Sequence, residues 1–352
     1  MLVRMIFIAI IVFVVFFIIF NSWEKEKIPL WEEYKIPVSS LPEDMPDFEW
    51  CLVPAGDFTY GPPKDTSNYS SVENIDYDYE IMKYPVTNAQ YLAYLRQALA
   101  AEIIWVDERS NAVYGNHPRI KKNPYHKGGE VAFYYLGDVE QYSYYRQKEL
   151  KESDSLLYEH FEWFLSYDFS QIYYSEGEFK IFVPSGYEQD GYLDHPVVFT
   201  TWFGASHFAQ YYGLRLPNNL EWEKAARGNR GYIYPWGNEI DGTRANYRDS
   251  GDPWDNRSTP VGYYNGINPN TVDSPSPYGV YDMSGNVRNW VQDWITSEEL
   301  CGNYPVNRNG SWYDCTGHMH SWIRDDYHFP VYNAYWAYGF RCARSPIIED
   351  YE

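Results

Sequence analysis

Apolar positions along this chain follow three patterns. Met5 to Phe20 is unbroken hydrophobic sequence behind Arg4. At about 1.5 Å per residue such a helix reaches about 24 Å, short of a bilayer core of about 30 Å unless Leu2 and Val3 extend it. Elsewhere apolar and aromatic residues come in short runs bounded by Gly and Pro. Trp50 to Gly61 predicts a strand and turn, and Tyr77 to Lys83 a strand that ends at the Pro85 break. Val131 to Leu136 predicts a strand, and the stretches around Ile172 and Phe179 to Phe182 a strand pair. The third pattern is helical. One helix follows Thr87 or Asn88, either of which is a sound N-cap, and another runs from Asp138 to about Ser166. Phe203 to Tyr212 is stopped by Gly213, and Leu220 to Arg227 is closed by Gly228. From Gly228 to Pro277 the chain is rich in Gly, Pro, Asn and Asp, which predicts long irregular structure needing pins such as ions or disulfides.

Composition narrows the function classes. The 352 residues carry a formal net charge of −21, which argues against nucleic-acid backbone binding and suits solubility, cation binding or a basic partner. Aromatics are 20% of the chain, with 37 Tyr and 14 Trp spread along its length. That usage fits half-buried β structure and also recognition surfaces. No A-x-A-like cleavage site follows Phe20, so residues 1–21 are expected to be an uncleaved signal anchor, spanning the membrane through residues 5–20, with a cleaved signal peptide as the alternative. Pro29, Pro37 and Pro42 among charged residues predict an extended stalk over residues 22–47, and residues 347–352 a short tail. The bulk of the protein is expected to be extracytoplasmic, periplasmic or at the cell surface. Cys51, Cys301, Cys315 and Cys342 contain no C-x-x-C spacing, which excludes the usual structural zinc patterns.

Five blocks carry a specific resemblance. They are Leu214-Arg-Leu-Pro-Asn-Asn-Leu-Glu-Trp-Glu-Lys-Ala-Ala-Arg-Gly228, Tyr234-Pro-Trp-Gly-Asn238, Gly279-Val-Tyr-Asp-Met-Ser-Gly-Asn-Val-Arg-Asn-Trp290, Asn309-Gly-Ser-Trp312 and Gly339-Phe-Arg-Cys-Ala-Arg344. In this order the chain resembles the formylglycine-generating enzyme, or sulfatase-modifying factor, family. The resemblance implies an α+β fold, a variant of the C-type lectin fold with little regular secondary structure, over residues 48–346. It is interrupted by an insertion at about 103–190.

The resemblance also implies sites. One calcium site would use the side chains of Asn246 and Asp252 and the backbone carbonyls of Tyr247 and Trp254. A second falls on Asp282, Gly285, Val287 and Asn289, with Asn289 standing where the family usually has Glu. The family's oxidases bind copper through two thiolates five residues apart, just after the Gly-Ser motif. Here Ser311 and Cys315 match, but His320 stands at the second thiolate position and Arg288 replaces the pocket Trp. The expectation is therefore calcium without the family's copper centre; a Cys315/His320 substitute site for copper is the alternative. The family's iron-binding H-x3-H-x-E branch has no counterpart among the eight His.

Between Trp312 and Tyr338 aromatic and polar residues interleave, and the lectin-like resemblance makes this an exposed face. Trp312, Trp322, Tyr335 and Trp336 are its expected contacts for a protein, peptide or glycan ligand. The leading expectation is non-catalytic binding or a structural role in a surface assembly; the alternative is an oxygen-dependent oxidase turning a protein Cys into formylglycine. Resemblance also brings the first and last strands together, which allows a Cys51–Cys342 disulfide, since the family's usual partner position is Ala209 here; Cys301 and Cys315 would pair across a loop.

Overall fold

The computed structural model describes residues 46–63, 70–117, 130–136, 170–181, 192–254, 257–297, 302–325 and 334–345. The expected signal anchor, the stalk up to residue 45, the helix from Asp138 to Ser166, Cys301 and the tail lie outside them. Among the described residues no helix is long and apolar enough to cross a membrane.

The opening stretch forms two strands, β1 (Trp50–Val53) and β2 (Gly56–Tyr60), followed by β3 (Ser71–Ile75) and β4 (Tyr79–Met82). Next come helix α1 (Asn88–Ala100) and, within the insertion, β5 (Ile104–Asp107), β6 (Ala112–Asn116), β7 (Glu130–Tyr135), β8 (Ile172–Ser175) and β9 (Glu178–Ile181). Helices α2 (Trp202–Tyr211) and α3 (Asn219–Arg227) precede the irregular region. The chain closes with β10 (Arg288–Ser297), β11 (Gly302–Arg308), β12 (Arg324–Asp325), β13 (Tyr338–Phe340) and β14 (Ala343–Arg344). As its Gly, Pro, Asn and Asp content predicts, the irregular region from Gly228 to Pro277 holds no helix or strand among its described residues.

Capping sets the helix starts. Thr87, not Asn88, caps α1: its hydroxyl accepts from Gln90 N, and the Gln90 side chain accepts from Thr87 N. Asn218 and Glu221 form the same reciprocal box at α3. Between α1 and α2 lies an aromatic core in which Tyr91 stacks on Phe208 at 5.7 Å and Phe340 packs edge-on to both. Bodies of this kind bury large apolar area while their polar tips find partners: Tyr94 OH meets His207 Nδ1 at 2.7 Å.

The sheet order places the functional turns. One sheet runs β1-β4-β14 and a second β12-β11-β10-β13, with β10 parallel to β13 and antiparallel to β11; β2-β3, β5-β6-β7 and β8-β9 form smaller sheets. This order overturns the expected Cys51–Cys342 bond. Strand β4 lies between β1 and β14, so Ile81 faces Cys51 on one side and Ala343 on the other. Two strand spacings of about 4.8 Å each exceed the roughly 7 Å limit for bridged Cα atoms. Both cysteines are free and buried.

Helix α3 carries the buried charges. Glu223 accepts from Gly61 N at 2.7 Å, from Arg227 Nη1 at 3.2 Å and from Arg308 Nη2 at 2.5 Å. All three charged side chains are at most 1% exposed. Glu221 grips Arg215 through both oxygens at 2.6 and 2.7 Å. A buried carboxylate is tolerated here because each of its oxygens is paired with a guanidinium or an N–H donor.

Candidate functional site

Two loops converge at the Gly-Ser turn. Gly285 makes the approach possible: its φ is +91°, and a Cβ there would lie 2.3 Å from the Asn246 carbonyl. Asn286 N donates to that same carbonyl at 2.9 Å. At Gly310 a Cβ would sit 2.6 Å from the His318 carbonyl and 2.2 Å from the Met319 methyl, so the turn requires glycine. Asp282, Asn286 and Asn309 all have positive φ, at 55°, 63° and 79°. Such conformations are uncommon outside glycine and here sit within one cluster of turns.

The first calcium constellation is a single loop. Asp252 accepts from Ser250 Oγ and from Trp254 N, both at 2.8 Å, and Tyr247 O accepts from Ser250 N at 3.0 Å. Asn246 spends its amide nitrogen on Arg257 O at 2.8 Å, and its side-chain oxygen is not consumed by that bond. A carboxylate, an amide oxygen and backbone carbonyls are the donor types that a hard oxygen-seeking cation takes.

The second constellation does not fit one. Asn289 Oδ1 accepts from Arg341 Nε at 2.8 Å and from Trp222 Nε1 at 3.1 Å. The carbonyls of Asp282, Gly285 and Val287 all face Asn309 Nδ2. Arg341 is fully buried and also donates to the carbonyls of Tyr281 and Asp282. Burial pulls its pKa down to about 10, against the neighbouring Asp282, whose own carboxyl burial raises.

An ion pair stands beside the Gly-Ser turn. Arg288 meets Asp314 through Nη2 at 3.0 Å and Nε at 3.2 Å. The same Asp314 accepts from Ser311 Oγ at 2.6 Å and Ser311 N at 2.9 Å. Burial raises the Asp314 pKa, but Arg288 and Ser311 outweigh it and leave the carboxyl below its usual range. Ser311 is 1% exposed and is held as an acid's partner. Cys315 is exposed, and its Sγ lies 3.4 Å from His318 Nδ1. His320 instead turns its ring to Tyr234 at 5.5 Å and to Trp322 at 4.6 Å; burial, then the charge of His318, lowers its pKa. Among the described residues no group of three or more His, Cys, Asp or Glu could hold a metal ion.

The expected ligand face divides. Trp312 is 2% exposed and packs beneath Ala337, Tyr313 and Trp336, so it is the core of the patch rather than its surface. Tyr335 and Trp336 are half-buried and in mutual edge contact at 5.5 Å, and Tyr313 meets Trp336 at 6.1 Å. Trp322 belongs to a separate group with His320 and the Arg227 guanidinium, 5.2 Å over its ring. Sequence reasoning missed Arg248, which lies 4.6 Å over Tyr313 and donates to its carbonyl. It also missed Asp314 and Asn309. The spacing Ser311-x-x-Asp314, a known hydroxyl–carboxylate turn spacing, was a usable signal for Asp314.

A family model described as the sulfatase-modifying factor enzyme 1-like domain matches residues 39–346. The chain is 36% identical over 172 residues to a protein named serine/threonine-protein kinase pkn1 of Chlamydia pneumoniae, covering 45% of this chain and 25% of that protein. It is 36% identical over 120 residues to a formylglycine-generating enzyme of Thermomonospora curvata, covering 33% of this chain and 39% of that one. It is 34% identical over 124 residues to an inactive C-alpha-formylglycine-generating enzyme 2 of Bos taurus, covering 35% and 40%. The chain thus spans about a quarter of the length of the kinase-named relatives it matches. The solved structure of CarF superposes with a TM-score of 0.50 at 19% identity, covering 85% of this chain and 98% of that chain, which shows the fold. With the match extending over residues 39–346, this chain belongs to the sulfatase-modifying factor enzyme 1-like family.

Proposed function

We propose that this protein is a membrane-anchored, extracytoplasmic binding or structural component of a surface assembly, built on an oxidase-type scaffold without its oxidase chemistry. The observation that carries this reading is the Arg288–Asp314–Ser311 network. A guanidinium and a carboxylate at 3.0 Å stand at the catalytic position and tie up the hydroxyl of Ser311. A substrate thiol entering here would have to break a charge-assisted pair that is 8% and 13% exposed. Cys315 has an imidazole beside it instead of a second thiolate, so a two-sulfur copper site lacks half its donors.

Recognition would fall to the rim formed by Tyr313, Tyr335, Trp336 and Arg248. Rigid aromatics beside an exposed guanidinium suit a protein, peptide or glycan ligand. Calcium would be held by Asn246, Tyr247, Asp252 and Trp254, where it would pin the irregular region and supply charge to hold the loop.

The test is mass spectrometry of a sulfatase-type Cys peptide incubated with protein, copper and oxygen. The expected result is an unchanged peptide. Conversion of its Cys to the aldehyde, lost on Cys315→Ser, would overturn the reading in favour of the oxidase.

A further inference from the structure

Three backbone carbonyls point at one nitrogen. Asn309 Nδ2 lies 3.1 Å from Asp282 O, 2.8 Å from Gly285 O and 3.1 Å from Val287 O. An amide NH2 has two hydrogens, so three acceptors at these distances exceed what a hydrogen-bond donor requires. Convergent carbonyl oxygens are the arrangement that hard cations use. The amide's orientation is fixed, because Asn309 Oδ1 accepts from Gly285 N at 2.9 Å and so turns the nitrogen into the cage. Asn309 is 1% exposed and holds a φ of 79°, a conformation accepted at this one turn to deliver the amide.

We propose that the Asn309 side-chain amide replaces a cation in this cage, so that the protein binds no metal at the Asp282–Asn289 turn. A calcium ion needs six to eight oxygens at about 2.3–2.6 Å. It cannot share the centre with Nδ2. The donor that would complete a metal shell, Asn289 Oδ1, is already bonded to Arg341 Nε and Trp222 Nε1. The amide's two partially positive hydrogens, with the Arg341 guanidinium donating to Asp282 O and Tyr281 O, supply the charge that a cation would bring. The turn is thereby independent of metal supply, and any calcium dependence of the fold is confined to the Asn246–Trp254 loop.

The proposal predicts a latent site under the amide. Asn309→Gly keeps the positive φ at no steric cost and empties the cage, taking the amide away from three carbonyls and from the Gly285 N–H, while Asp282 O keeps Arg341 and Val287 O keeps Asn289 Nδ2. The experiment measures calcium content by elemental mass spectrometry after dialysis, with Asp252→Asn present in every protein to silence the first loop. The Asp252→Asn protein should bind no calcium at this turn, whereas Asp252→Asn/Asn309→Gly should gain calcium there, with the Asp282 carboxylate and water supplying the oxygens that Asn289 cannot, and its melting temperature should rise with calcium. Equal calcium contents in the two proteins would overturn the proposal. If the double variant does not fold, terbium titration of the Asp252→Asn protein decides. Trp222 touches the turn through Asn289, so sensitised terbium emission that is lost on Trp222→Phe would place a cation in the cage and refute the replacement, and the absence of such emission supports it.

Discussion

Two histidines buried among aromatic rings should make this fold acid-labile. His207 lies 4.6 Å from the Phe133 ring with Nδ1 on Tyr94 OH, and burial lowers its pKa from 6.5 to about 3. His195 stacks on Tyr192 at 4.5 Å and is lowered to about 3, mainly by burial. The folded chain refuses both protons at a pH where the unfolded chain accepts them. Stability from these groups is therefore fully present above pH 6.5 and falls as pH drops through the window between 6.5 and 3. At pH 5 the unfolded imidazole gains about 2 kcal/mol that the folded one cannot, from 1.36 kcal/mol per unit, or about 4 kcal/mol for the pair. Asp282 and Asp293, whose pKa values burial raises, contribute in the opposite direction, so the wild-type curve alone is a sum. The perturbation that isolates one term is His207→Asn, which keeps a hydrogen-bonding atom near Nδ1 and removes the titration. Urea melts of both proteins at pH 7.5 and pH 5 measure it. Wild type should lose about 2 kcal/mol more than the variant over that interval. Parallel losses would refute the claim that His207 stays neutral in the fold.

Other outcomes follow from the same contacts. Glu223→Gln leaves Arg227 and Arg308 buried around a neutral amide and should cost about 3–5 kcal/mol in a denaturant melt; a change under 1 kcal/mol would mean the guanidinium groups find water. Trp312→Ala should cost about 3–5 kcal/mol of stability through its core position, whereas Trp336→Ala should weaken ligand capture with a smaller stability change. The reverse pattern in melting and binding assays would disprove the division of the patch. Calcium at about a hundred times its dissociation constant should stabilise wild type by about 2.7 kcal/mol, and Asp252→Asn should abolish the gain; a gain that survives in the variant would remove the loop from consideration.

Sequence carried much of the architecture because its signals were local. The Thr87/Gln90 and Asn218/Glu221 boxes, Gly213 and Gly228 mark helix ends through contacts within a few residues. The motif blocks placed the turns around Gly285 and Gly310, where glycine is dictated by close backbone approach. The Cys51–Cys342 pairing failed because it depends on lateral strand order, and nothing local in either strand announces that β4 lies between them. Trp312 read as surface because interleaved aromatic and polar residues look alike whether a turn points them in or out; only the packing under Ala337 and Trp336 decides. Arg248 lay outside the expected face because it reaches Tyr313 from a loop 65 positions away in the chain.

The charged groups at the Gly-Ser turn sit inside a frame of buried indoles. Trp290 and Trp222 keep their hydrogen bonds to Thr200 O and Asn289 Oδ1, so the frame around the turn is held by buried indoles. Within that frame Arg288 brings a permanent positive charge, which Asp314 neutralises at 3.0 Å. Removing either partner alone would strand a charge that is nearly buried, which is costlier than removing both. The pair therefore predicts non-additive mutants. Arg288→Leu and Asp314→Leu should each destabilise by more than about 2 kcal/mol, and the double variant by less than the sum of the two. Additive losses in denaturant melts would mean that the pair is an exposed contact of little weight, and the proposed non-catalytic reading would lose the observation that carries it.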